Sequence, residues 1–309
     1  MSFKNPVFSV AQKLKRVVRG NKFLFNAAVY AADSAYSVKK QMRLVGGSSD
    51  SLENGEIVGD LRILDRYRKE FSWVEGWFGT EAIATWDTLL TLQSQTNCCG
   101  NLLEIGVLKG KSAALLALHA RPDEICIFVD PTLRKMATDV VGMIRSQNNI
   151  WISDVSQNLR TDPRLHPLAG TFRWIHIDGE HTGRAVTNDL EIAANLLSHD
   201  GVVCLDDFMS PAYPQITAAT FAFLEQHRDD FTLFLTGFNK GYLCRTTQAQ
   251  VYLRFLQQKL FDELTRRGVD DVTVWKSTDP ADMNCFGMTA KLLQFDSRGP
   301  DWAPDTISI

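Results

Sequence analysis

The chain has 309 residues, enough for one large domain or two modest ones with a full hydrophobic core. A formal charge of −3 and 45% apolar residues are ordinary for a soluble protein, and no unbroken apolar run is long enough to cross a bilayer. That balance argues against a bulk nucleic-acid binder, although nine Lys or Arg and a single acid, Asp33, fall between Met1 and Gly46. The six cysteines (Cys98, Cys99, Cys126, Cys204, Cys244, Cys285) have no C-x-x-C spacing, and no secretory h-region follows Met1. Reduced thiols in a cytoplasmic protein are the expectation.

In chain order, Asn5-Pro6 reads as a helix start, and Val7, Val10, Ala11, Leu14, Val17 and Val18 fall on one face at helical spacing. A second helix runs from about Lys22 to Leu44 and stops at Gly46-Gly47. The polar, turn-rich "GGSSDSLENGE" that follows reads as a linker. Two more helical patterns, "IVGDLRILDRYRKEF" and "TEAIATWDTLLTLQ", lead to an apolar run and glycine turn, "NLLEIGVLKGKSAALLAL". Strand patterns "EICIFVD", "NIWISDV", "FRWIHID" and "GVVCLDDF" then alternate with helix-length segments, which means a parallel sheet covered on both faces. "FTLFLTGFNKGYLCRT" reads as two strands joined at Gly237–Gly241, an antiparallel hairpin at the sheet edge. A helix from about Gln248 to Arg267 follows.

The glycine turn is not a phosphate loop. Such a loop needs four residues between its first Gly and Gly-Lys-Ser, and Gly106 is followed by only three before Gly110-Lys111-Ser112. The dinucleotide fingerprint also fails, because it would require Gly at Leu108. Glu104, near the strand end, would repel phosphates and favour a ligand with positive charge, such as the sulfonium and ammonium groups of S-adenosylmethionine (SAM).

Glu104-x-Gly106-x-x-x-Gly110 resembles the first motif of class I SAM-dependent methyltransferases. Asp130, ending the next strand, is placed for the ribose hydroxyls, and Ser153 and Asp154 for the adenine edge. The stretches "WIHIDGEHTG" and "VVCLDDF" put Asp178, Glu180, Asp206 and Asp207 at strand carboxyl ends, the ligand-binding edge of open α/β sheets. Crowded carboxylates repel unless protonated or bridged by a cation, and hard oxygen donors suit Mg2+. Asp178-Gly179-Glu180 and Asp206-Asp207 resemble the strand-end motifs of the metal-dependent macrocin-type O-methyltransferases and the wider methyltransferase family 24.

The resemblance spans roughly Trp73 to Arg245. It implies a Rossmann-like, doubly wound, mostly parallel seven-stranded α/β sheet with an antiparallel edge hairpin. N-terminal helices would precede that sheet and a C-terminal extension follow it. The expected segments are a basic helical arm (1–46), a linker (47–56), a methyltransferase domain (57–245) and a helical extension (246–309). The implied cofactor set is Glu104, Gly106, Gly110, Ser112, Asp130, Ser153, Asp154 and Asp178, and Mg2+ would be held by Asp178, Asp206 and Asp207. Glu180 stands where the general base stands, and His181 competes, because an imidazole titrates near neutral pH. His176 is read as packing, and Trp73, Trp77 and Phe78 as either acceptor-pocket lining or core.

The expected reaction is Mg2+-assisted O-methylation of a small-molecule diol, sugar or glycoside. Two alternatives stay open: a metal-independent methyltransferase, and a non-catalytic α/β scaffold whose working part is the basic arm. For that arm, self-association into a homo-oligomer or an active-site cover is favoured over contact with a membrane surface. No nucleic-acid partner is expected.

Overall fold

The structure, a computed structural model, describes residues 59–276 and 284–290. The arm and linker expected at 1–46 and 47–56 lie outside the described residues. Among those residues no helix is long and apolar enough to cross a membrane, and all six cysteines are free thiols.

Two helices precede the sheet. In α1 (Arg62–Phe71) Leu64, Tyr67 and Phe71 are buried at helical spacing, while the intervening positions are mostly charged. In α2 (Thr80–Gln95) burial extends almost all round, as expected of a helix packed between layers. The alternating run follows: β1 (Asn101–Ile105), α3 (Lys111–His119), β2 (Cys126–Val129), α4 (Lys135–Ile144), β3 (Asn149–Ile152), β4 (Phe172–Ile177), α5 (Gly183–Leu196), β5 (Leu197–Asp206) and α6 (Pro214–Gln226). The hairpin β6 (Phe231–Gly237) and β7 (Lys240–Arg245), α7 (Ala249–Arg266), β8 (Val272–Lys276) and β9 (Phe286–Ala290) complete it.

The strand order is β3-β2-β1-β4-β5-β7-β6-β9-β8. Strands β1 to β5 pair in parallel, and β7 joins β5 antiparallel, which makes the expected doubly wound sheet with its hairpin. Among the described residues the sheet has nine strands where seven were expected, and β9 and β8 lie beyond the hairpin that was expected at the sheet edge. The extension after Arg245, expected to be helical, holds α7 and also β8 and β9, and β9 pairs parallel to β6. Each added strand is five residues long.

Strand alternation divides the core. Leu103, Ile105, Ile175, Ile177, Val203 and Leu205 pack on one face with α5 and α6. Leu102, Phe128, Trp174, Cys204 and Tyr242 pack on the other with Trp86 of α2. The second face carries a polar row as well. Glu104 and His176 are cross-strand partners in β1 and β4, and Asp206 and Lys240 are partners in β5 and β7. Four adjacent strands thus each send one ionisable side chain to the same side. Away from this row, Asp87 of α2 anchors a buried network by bonding His119 of α3 at 2.9 Å and Arg267 after α7 at 2.8 Å.

Candidate functional site

The strand order reverses between β1 and β4, the position where open α/β sheets form their ligand crevice. The turn leaving β1 has positive φ at Gly106 (88°), Leu108 (48°) and Gly110 (87°). A Cβ on Gly106 would lie 1.8 Å from the carbonyl oxygen of Asp178, and one on Gly110 would lie 2.9 Å from Cα of Ala137. These glycines are therefore required first by the approach of β4 and α4. Asp130, after β2, fixes the same turn. Its Oδ2 accepts from the amides of Val107 and Leu108, both at 3.0 Å, and its Oδ1 accepts from Thr132 N at 2.8 Å.

Glu104, expected near the strand end, is the last residue but one of β1. It is fully buried, and its Oε1 accepts from Ser112 Oγ at 2.5 Å and stands 2.9 Å from His176 Nδ1. His176 is buried against the edge of Trp86, with ring centroids 4.6 Å apart. Its Nε2 is 4.0 Å from Asp206 Oδ2 and has no hydrogen-bond partner. It packs, as expected, but it also links the glycine turn to the aspartate pair.

Asp178, His181 and Asp207 come together at the crevice mouth. His181 Nε2 is 2.9 Å from Asp207 Oδ2 and 3.7 Å from Asp178 Oδ1. The imidazole stacks on Tyr213 at 4.3 Å, and its carbonyl accepts from Gln215 Nε2 at 2.6 Å. Thr182, the next residue, caps α5 through Ala185 N, so His181 is fixed from both sides. Burial pushes the Asp178 carboxyl up to about 6. Asp178 in turn, with Asp207 and Asp206, raises the His181 imidazole above its ordinary range.

Glu180 is not part of this group. It is exposed, and its Oε2 accepts from Gln157 Nε2 at 3.4 Å. Ser153 and Asp154 are also exposed, past β3. Asp154 Oδ1 accepts from Val155 N and Asn158 Nδ2, both at 2.8 Å, and Ser153 Oγ donates to Pro131 O at 3.5 Å.

The hairpin supplies two groups that sequence reasoning missed. Phe238 and Asn239 both have positive φ, 51° and 65°, in a two-residue turn between the partners Gly237 and Lys240. Lys240 is 3% exposed, its Nζ is ion-paired with Asp206 Oδ2, and it lies 5.7 Å over the Phe78 ring. Asn239 Nδ2 donates to Asp207 Oδ1. Burial opposes the charge on Lys240, but Asp206 outweighs it and the ammonium pKa is raised. Burial likewise opposes ionisation of Asp206, yet Lys240 and His176 hold its carboxyl below the usual range. A cleft of about 410 Å³ opens here, lined by Gly76–Gly79, Glu81, Ala82, Lys111, Asp206 and Phe238–Lys240. Phe78 is buried in its wall, while Trp77 at the rim is 93% exposed.

The Mg2+ triad expected from Asp178, Asp206 and Asp207 does not recur as one group of close donor atoms. Among the described residues such groups are His176 with Asp178 and Asp206, and Asp178 with His181 and Asp207. The first already holds the Lys240 ammonium, which would repel a dication, and the second includes an imidazole, a poor match to an oxygen-seeking ion. Neither set fits Mg2+.

Over part of its length the chain is similar to the methyltransferases. Residues 103–208 match the family model described as "Methyltransferase domain", that of methyltransferase family 24. Among curated proteins none matches the sequence. Similar solved structures include the O-methyltransferase NovP, at 18% identity and a TM-score of 0.43 over 54% of this chain and 79% of that one. Another is the apo form of CalS11, a TDP-rhamnose 3'-O-methyltransferase of calicheamicin biosynthesis, at 14% identity and 0.45 over 64% and 96%.

Proposed function

We propose that the protein transfers the methyl group of SAM to a hydroxyl of a small molecule, with His181 as the general base. The carrying observation is the position of the His181 imidazole, 2.9 Å from Asp207 and 3.7 Å from Asp178; Asn239, which donates to Asp207, also lines the 410 Å³ cleft, where the acceptor would sit. In this reading Gly106–Gly110 would hold the methionine part of SAM, Asp130 its ribose, and Ser153 and Asp154 its adenine.

Asp178 and Asp207 orient the imidazole and stabilise the imidazolium formed when it takes the hydroxyl proton. The oxygen's lone pair then attacks the methyl carbon while the C–S bond breaks and its electrons return to sulfur, leaving S-adenosylhomocysteine. Alignment of nucleophile, methyl and leaving group supplies most of the acceleration. Glu180, exposed and bonded to Gln157, takes no part in the proton transfer. No step passes through Mg2+, because the donor sets do not fit it. That favours the metal-independent form of the enzyme over the metal-assisted one.

The test is a panel of sugars, glycosides and phenolic diols, each incubated with SAM in excess chelator while S-adenosylhomocysteine release is followed. Release that depends on a hydroxylated acceptor supports the reading. Methylation of amines or thiols alone would refute it.

A further inference from the structure

The Asp206-Asp207 pair is met, residue for residue, by a single hairpin turn: Lys240 on Asp206 and Asn239 on Asp207. The match follows from register, since Asp206 and Lys240 are cross-strand partners and the two-residue turn places Asn239 directly before Lys240. Lys240 has little freedom to leave. Its stem is buried, its ammonium lies over Phe78, and withdrawing it would leave Asp206 as an uncompensated charge beside a fully buried Glu104–His176 pair. A dication at the same carboxylate would stand at contact distance from the ammonium, so the two cations exclude each other.

We propose that Lys240 is the resident cation of the acid cluster, a positioning residue whose ammonium takes the place of a divalent ion and holds Asp206 in a metal-free site. This deepens the methyl-transfer reading and rests on it. The geometry has a further consequence. His176 Nε2 has no hydrogen-bond partner, and its donor atom already lies close to those of Asp178 and Asp206. Removing the ammonium while keeping the bulk of the side chain would therefore uncover a three-ligand site.

The probe is Mn2+, followed by the loss of its free-ion electron paramagnetic resonance signal at equimolar protein. The wild type and Lys240→Arg are expected to leave the signal intact. Lys240→Met is expected to bind the ion at least about a hundredfold more tightly, and adding Asp206→Asn to abolish that gain. Tight one-to-one binding by the wild type, lost in Asp206→Asn, would overturn the proposal. So would Lys240→Met that is folded but no better than the wild type. Should Lys240→Met not fold, the wild-type titration decides alone. Calorimetry with SAM in chelator, on the same wild-type sample, reads the methyltransferase assignment separately, because failure to bind SAM bears on that assignment and not on the identity of the cation.

Discussion

Gly106 and Asp178 are joined at the carboxyl edge of the sheet more closely than any side chain would permit. The Cβ that Gly106 lacks would stand 1.8 Å from the carbonyl oxygen of Asp178, and Asp178 N donates to Ile105 O at 2.8 Å. The glycine turn and the acid cluster are thus positioned by the same contact. Gly106→Ala is expected to lower stability by about 3 kcal/mol or more and to abolish SAM binding with it. Gly142 in α4 is the control, since a Cβ there meets nothing within 4 Å. Gly142→Ala should raise stability by about 0.5–1 kcal/mol, the usual gain at a helical position. Thermal unfolding of the two variants checks both signs.

Asp130 holds the turn from the other side. Removing its carboxylate leaves the amides of Val107 and Leu108 without their acceptor. Asp130→Ala should cost about 1–3 kcal/mol of stability and at least about tenfold in SAM affinity. Calorimetry on folded protein separates the two effects.

The base assignment divides two neighbours that the sequence alone could not separate. His181→Ala is expected to lower the rate of S-adenosylhomocysteine release by about 10²–10⁴-fold, the usual worth of a positioned base. Glu180→Gln, at an exposed residue bonded to Gln157, should stay within about threefold of the wild type. The reverse ranking would move the proton transfer to Glu180.

Asp189 in α5 carries a pH signature in stability. It is fully buried with Oδ2 unpartnered, and burial pushes its carboxyl up to about 6 from an ordinary 3.8. The folded state therefore holds this proton more tightly than the unfolded chain. The resulting stabilisation is complete below about pH 4 and is lost as the pH rises through about 6. Asp189→Asn, which needs no proton, should be more stable than the wild type at pH 8 by about 1–3 kcal/mol, with the difference shrinking toward pH 5. Denaturant titrations at the two pH values check this.

Much of the fold is legible in the sequence because β1, β2, β4 and β5 are apolar runs that end in, or just before, acids or glycine, with helical spacing between them. Asp178, Asp206 and Asp207 are legible for the same reason, since a strand end fixes which edge they occupy. Glu104 is less so: the residue type is visible, but only tertiary packing turns its carboxylate inward to Ser112 and His176. Lys240 and Asn239 are not legible as site residues. Their arrival depends on the pairing of β7 with β5, between residues more than thirty apart in the chain, and on a turn whose two positive-φ residues are Phe and Asn without glycine. A cue was present, because a lysine directly after that turn is forced into the first rung of the ladder. His176 shares the parity of Asp178, so alternation places it on the site's face.

The most direct measurement is the pH dependence of S-adenosylhomocysteine release in excess chelator, for the wild type and His181→Gln. The account predicts a wild-type rate that survives the chelator and rises with pH through a pKa above the ordinary imidazole value of 6.5, a rise that is absent from His181→Gln. A rate abolished by the chelator, or an unchanged profile in the variant, would contradict it.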